Sequence, residues 1–285
     1  MEATSKLNIK AIVLDMDGTL LNDKKEITPK TKEALIQAQG QGIKVILASG
    51  RPLNAMNEFA KQLAMDHHHG LLIGYNGACV SDTQDFSILY ESPIPHDKVV
   101  RLLDHLKQFD ATPLIVQDDK LHISRHDKPI LKIDEKTTFN VIEYEVGGGN
   151  FNLVKHDRLQ DSLTGKIHKV LASMDYDVLR NNLEALTKPF DKELNAVISF
   201  ACYLEYTNIG VDKAHTLAIV LEQLQIHPDE VLVFGDSFND ITMMELSKYP
   251  VAMANAVQQA KEVAWKIADS NNEDGIAKIL NRYLL

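Results

Sequence analysis

The stretch Ala11-Ile-Val-Leu-Asp-Met-Asp-Gly-Thr-Leu20, "AIVLDMDGTL", is a short apolar run that ends in two aspartates one residue apart, then Gly-Thr. A run that is apolar throughout, rather than alternating, fits a strand covered on both faces, as in a parallel sheet. The chain after it keeps to that reading. "TPKTKEALIQAQGQG" (28–42) has helical spacing, with Thr28 as N-cap and Pro29 at the first helical position. "KVILAS" (44–49) is a second strand, "LNAMNEFAKQLAM" (53–65) a second helix and "LLIGYNG" (71–77) a third strand. This β-α-β-α-β order predicts an α/β fold, a Rossmann-like doubly wound parallel sheet with helices on both faces. The pattern resumes near the C-terminus. There "AHTLAIVLEQLQ" (214–225), "NDITMMELS" (239–247), "QQAKEVAWKIA" (258–268) and "DGIAKILNRYLL" (274–285) read as helices, and "EVLVFGD" (230–236) and "PVAMANA" (250–256) as strands.

The middle of the chain reads differently. Strand-like stretches such as "FSILYES", "TPLIVQ", "KLHISR", "FNVIEYEV", "IHKVLASM" and "NAVISFAC" alternate with helices such as "HDKVVRLLDHLKQF" and "DVLRNNLEALTK". An inserted α+β cap domain over 85–198 is predicted, with 1–84 and 199–285 forming the core. "GGGN" (147–150) lacks the strand–G-x-G-x-x-G–helix context of a dinucleotide cradle and is read as a loop or turn.

The bulk numbers exclude some classes. With 285 residues there is room for one large domain or two smaller ones. A formal net charge of -10 argues against a general binder of nucleic-acid phosphates, while leaving room for a small anionic ligand at a locally positive site. The two cysteines, Cys79 and Cys202, form no C-x-x-C pattern and read as reduced structural thiols. His67, His68 and His69 are consecutive, so they do not share one face of an element and read as a surface loop. No signal peptide or membrane-length apolar run is found in the sequence, and a cytoplasmic protein is expected.

Three apolar strand runs end in polar residues: Asp15; Ser49, followed by Gly50 and Arg51; and Asp236, with Asn239 and Asp240 just beyond. In open α/β sheets ligands bind outside the carboxyl ends of the strands, so these residues can converge on one crevice. If the extended run persists, Asp15 and Asp17 point the same way. Carboxylates packed together need a cation, a proton or strong hydrogen bonds. With Asp236 and Asp240 there are four, and Mg²⁺, shared with a substrate phosphate, is the natural partner. Lys213 opens a helix, where it opposes the helix dipole. It reads either as a solvated lysine tolerated there or as a neutraliser of phosphoryl oxygens, to which Ser49 can also donate. Gly18, Gly50 and Gly77 allow close backbone approach.

These residues match a known pattern. "DMDGTL" resembles the D-x-D-G-T signature of the haloacid dehalogenase superfamily, "SGR" (49–51) its second motif, Lys213 its third and "GDSFND" (235–240) its fourth. "GYNGA" (74–78), "PVAMANA" and "NNEDGIAKIL" resemble the Cof-type sugar-phosphate phosphatases, and the insertion resembles their large α/β cap. One departure is Ser237-Phe238 inside the fourth motif, where the Cof-type pattern has Gly or Asn followed often by Glu.

The resemblance implies a Mg²⁺-dependent phosphomonoester hydrolase. In it Asp15 is the nucleophile and Asp17 the general acid and base. Asp15, Asp236 and the backbone carbonyl of Asp17 hold the metal. Ser49, Lys213, Asn239, Gly18 and Arg51 lie at the substrate phosphate, Arg51 alternatively in an ion pair, and Asp240 orients Lys213 or a metal-bound water. It implies a small phosphorylated metabolite as partner, no nucleic acid and no membrane, a monomer or dimer, and a cap that works as a lid setting substrate preference. Two other readings stand beside it: a phosphotransferase or phosphomutase on the same core, and a non-catalytic phosphosugar-binding regulator.

Overall fold

The computed structural model describes residues 6–285, which divide into two compact units. One comprises the chain up to Tyr90 together with Asp212–Leu285; the other is Glu91–Val211. The sequence reading placed these divisions at 84/85 and 198/199. The second one falls later because Leu194–Phe200 and Tyr203–Asn208 pair as antiparallel neighbours, so the chain leaves this unit only after both.

The first unit is built on a sheet with strands in the order Lys266–Ile267, Tyr249–Ala252, Val231–Gly235, Ala11–Leu14, Lys44–Ala48, Leu71–Gly74, Cys79–Asp82 and Ile88–Glu91. The first six run parallel, and Cys79–Asp82 is antiparallel to Leu71–Gly74. Both faces of the central strands are covered, which is why Ala11–Leu14, Leu71–Gly74 and Val231–Gly235 are apolar throughout. Ile12, Leu14, Val45, Leu47, Leu232 and Phe234 pack on one face with the helices Pro29–Gly40 and Gly275–Tyr283. Ala11, Val13, Ile46, Ala48, Val231 and Val233 pack on the other with Lys213–Gln223 and Ile241–Leu246. Each of the Val, Leu, Ile and Phe side chains among them contributes about 1.5–3 kcal/mol on full burial.

The register sets the site. Leu14 lies level with both Phe234 and Leu47. Asp15, Ser49 and Asp236 therefore all leave the sheet at its carboxyl edge.

The second unit has its own sheet, in the order Asn152–His156, Lys120–Ser124, Thr112–Gln117, Val170–Ser173, Tyr203–Asn208 and Leu194–Phe200. Only the first pair is parallel. His96–Leu106 and Tyr176–Thr187 bury Val99, Leu102, Leu179 and Leu186 against Ile115, Val170, Leu204 and Tyr206 on one face.

Several elements differ from the sequence reading. "FNVIEYEV" is mostly a helix, Val141–Gly149, because the Asn140 side chain caps it by accepting the Glu143 N–H. That helix absorbs the glycines of "GGGN" and ends on Asn150 with φ 52°, a left-handed C-terminal residue. The helix over 258–268 stops at Val263, and Lys266–Ile267 joins the sheet as its edge strand. The stretch 53–65 is a 3₁₀ turn, Leu53–Ala55, followed by a shorter helix, Asn57–Gln62. His67 and His69 are exposed around a 3₁₀ turn. Both cysteines are buried and neither forms a disulfide, and burial pushes the Cys202 thiol up to about 12. Among the described residues no helix is long and apolar enough to cross a membrane.

Candidate active site

The Ala11–Leu14 strand does not continue through the two aspartates. After Leu14 the backbone turns, with the Leu20 N–H donating to the Asp15 carbonyl and the Leu21 N–H to that of Met16. The condition under which Asp15 and Asp17 would point one way, an extended run through both, is therefore not met. The two carboxylates enter two different charge clusters, while Met16 between them is fully buried in the core.

The first cluster is buried. Lys213 Nζ donates to Asp15 Oδ1 at 2.6 Å and to Asp240 Oδ1 at 2.7 Å. Asp240 Oδ2 accepts the backbone N–H groups of Asp236 and Ser237 at 3.0 and 2.9 Å. Asp236 Oδ1 accepts from the Thr19 hydroxyl at 2.7 Å. Carboxylate oxygens of Asp15, Asp236 and Asp240 lie within 4.8 Å of one another. Burial, then repulsion from Asp240, holds the Asp15 carboxyl well above the usual carboxylate range. Burial lifts Asp236 to about 6, with Asp240 pushing the same way and the Thr19 hydrogen bond opposing. Burial alone would lower Lys213, but Asp15 and Asp240 outweigh it and keep the ammonium protonated. Lys213 is not a solvated lysine: its side chain has no exposure. Asp212 caps its helix by accepting the His215 N–H at 2.7 Å, which brings the residue after the cap to the sheet edge.

One lysine among three carboxylates leaves an excess of negative charge in a buried space. That is a donor set suited to a hard divalent cation. Both Asp240 oxygens are engaged with protein donors, so Asp15 and Asp236 are the residues best placed to ligate, with Asp240 holding Lys213 and the loop.

The second cluster surrounds Asp17. Arg51 approaches it side-on, Nε donating to Oδ2 at 2.6 Å and a terminal nitrogen to Oδ1 at 2.7 Å. Lys25 Nζ donates to Oδ1 at 2.7 Å. Burial would raise Asp17, but Arg51 and then Lys25 win and bring it down to about 2. Of the two roles the sequence left open for Arg51, the ion pair is the one seen here. Gly18 has φ 86°, and a Cβ there would collide with the Asp236 carboxylate. The Ser49 hydroxyl accepts the Arg51 N–H at 3.1 Å. Asn239 Nδ2 donates to Asn76 Oδ1 at 3.1 Å. Ser237 and Phe238 leave the fourth motif intact: Ser237 opens a capped 3₁₀ turn and Phe238 is 53 % exposed.

Sequence reasoning assigned no role to Lys25, Thr19 or Thr216. Thr19 lies inside the quoted signature, so its signal was present. Lys25 reaches Asp17 only because the Asn22–Glu26 turn puts it at φ 61°.

A model of the haloacid dehalogenase-like hydrolases matches residues 12–280. The chain belongs to this family. This haloacid dehalogenase-like hydrolase is 30 % identical over 98 % of its length to the 5-amino-6-(5-phospho-D-ribitylamino)uracil phosphatase YcsE of Bacillus subtilis, covering 97 % of that protein. It is 26 % identical over 98 % of its length to the pyridoxal phosphate phosphatase YbhA of Escherichia coli, covering all of it. Among solved structures, a haloacid dehalogenase-like hydrolase from Bacteroides thetaiotaomicron matches with a TM-score of 0.85 and 29 % identity, over 96 % of this chain and 99 % of the other. The haloacid dehalogenase-like hydrolase described here is an enzyme of the family's phosphatase class.

Proposed function

We propose that the enzyme is a Mg²⁺-dependent phosphomonoester hydrolase that acts on a small phosphorylated metabolite, a sugar phosphate foremost, through a phosphoryl group carried on Asp15. The observation that carries this reading is the buried set Asp15–Lys213–Asp240 beside Asp236, at the edge where the strands open. A structural ion pair needs one carboxylate per lysine, whereas this set has too many acids unless a further cation shares the space.

In this reading Lys213 holds Asp15 by Oδ1, so its carboxylate is fixed for attack on phosphorus. The new bond joins a carboxylate oxygen to phosphorus, and the phosphorus–alkoxide bond breaks. Asp17 supplies a proton to the leaving alcohol and later takes one from the water that cleaves the acyl phosphate. Held at about 2 by Arg51 and Lys25, Asp17 is ionised and set for the second of these steps. The first requires it to loosen from those cations and take up a proton. Lys213 and Ser49 donate to phosphoryl oxygens. A bound Mg²⁺, held by Asp15, Asp236 and the Asp17 carbonyl, would supply charge compensation to the transferring group.

The relatives named above act on two different small phosphomonoesters, which supports the substrate class and leaves the individual metabolite to be found. The unit Glu91–Val211 is assigned the role of a substrate-selecting lid, as the position of the insertion between the second and third motifs suggests. The test is phosphate release from a panel of hexose phosphates, nucleotides, flavin phosphate and pyridoxal phosphate, with Mg²⁺ and with EDTA. Release with Mg²⁺ that EDTA abolishes is expected. No release from any member, or release indifferent to EDTA, overturns the proposal.

A further inference from the structure

The Leu71–Gly74 strand ends in three consecutive residues with left-handed backbone: Tyr75 (φ 53°), Asn76 (φ 56°) and Gly77 (φ 105°). Only the third is a glycine, so the turn is disfavoured locally and persists because its surroundings over-determine it. Those surroundings are the pieces of the proposed site. The Tyr75 N–H donates to the Arg51 carbonyl at 2.9 Å, and the Asn76 N–H to the Ser49 carbonyl at 3.0 Å. Asn76 Oδ1 accepts from Asn239 Nδ2 at 3.1 Å. The Gly77 carbonyl accepts from the Thr216 hydroxyl at 2.7 Å, and Thr216 is fully buried. A Cβ on Gly77 would run into the Asp212 carbonyl, so the turn sits directly against the first turn of the helix that begins at Lys213.

We propose that Tyr75–Gly77 is a positioning brace for the phosphate-binding end of the site, with Asn76 and Thr216 as its working residues. Neither touches substrate. Asn76 fixes which way the Asn239 amide faces, because turning that amide over would set two oxygens against each other. Thr216 stands one turn after Lys213 on the same face of the helix, so its hydrogen bond to Gly77 fixes how far Lys213 reaches toward Asp15. One turn thereby couples Ser49, Asn239 and Lys213, which come from three distant parts of the sequence. The inference rests on the phosphatase reading of the site.

The test separates fold from function. Asn76→Gly removes the carboxamide while placing at φ 56° the residue most tolerant of it, so the turn's backbone is expected to persist and the variant to unfold in a single cooperative thermal transition as the parent does. In the same variant kcat/KM on the best panel substrate should fall about tenfold or more. The rise in thermal midpoint on adding inorganic phosphate with Mg²⁺ should shrink as well. Thr216→Val, which keeps shape and loses the hydroxyl, should lose activity and phosphate protection, and Thr216→Ser should restore both. An Asn76→Gly protein with parental kcat/KM and parental phosphate protection overturns the brace, as does a Thr216→Ser protein no better than Thr216→Val. A parent enzyme that releases no phosphate from any substrate contradicts the phosphatase reading instead, and the phosphate-induced stabilisation still reports on the brace.

Discussion

Lys213 is the residue on which the charge balance turns. Its ammonium is shared between Asp15 and Asp240 with no contact to solvent, and a third carboxylate, Asp236, lies within reach of the same space. Replacing it with methionine keeps the bulk and leaves buried carboxylates without their cation, a loss that costs about 3–5 kcal/mol. Lys213→Met should therefore lower stability to denaturant by that order at neutral pH and cut phosphate release by about a hundredfold or more. A variant as stable and as active as the parent would show that the lysine is incidental. The residues legible from sequence alone are those whose position in an element places them: Asp15 and Asp236 after apolar strands, Lys213 at the start of a helix. Lys25 and Thr216 were not legible as contacts, because the partner each reaches depends on a left-handed turn whose packing no residue pattern announces.

Among the elements, the buried parallel strands of the first sheet were read correctly because burial on both faces leaves an unbroken apolar run, while its exposed edge strand Lys266–Ile267 was read as helix and the mixed unit was harder. "FNVIEYEV" alternates well enough for a strand, but one asparagine cap decided for a helix. The end of the Lys120–Ser124 strand carries a titration of its own. There the Asp127 carboxylate accepts the Ser124 N–H at 2.7 Å, and burial pushes its carboxyl up to about 6 from an ordinary 3.8 against the pull of that hydrogen bond. Between those values the folded protein binds more protons than the unfolded one, so this group's contribution to stability falls as pH rises from about 4 to 6. Denaturation of the parent and of Asp127→Asn across that range should show the parent losing stability relative to the variant as pH rises. A difference that is constant with pH would mean that Asp127 titrates as an exposed carboxylate does.

At the scale of the whole molecule, the chain closes one sheet from two separated segments and spends the residues between them on a second unit with its own core. The sequence showed this as a change of rhythm, from strand–helix alternation to mixed short strands, and its boundaries were soft because strand pairing rather than composition sets them. Exchanging 91–211 for the corresponding unit of a relative should change which panel substrates are hydrolysed while Mg²⁺ dependence persists; an unchanged substrate ranking would remove that unit from substrate choice. The central claim concerns Asp15, and it is tested most directly by quenching the enzyme with acid during turnover and mapping phosphorylated peptides. The account predicts a phosphoryl group on the peptide containing Asp15, absent from Asp15→Asn, which should also release phosphate at least about a thousandfold more slowly. Steady release by Asp15→Asn at the parental rate, with no phosphopeptide in either protein, would contradict it.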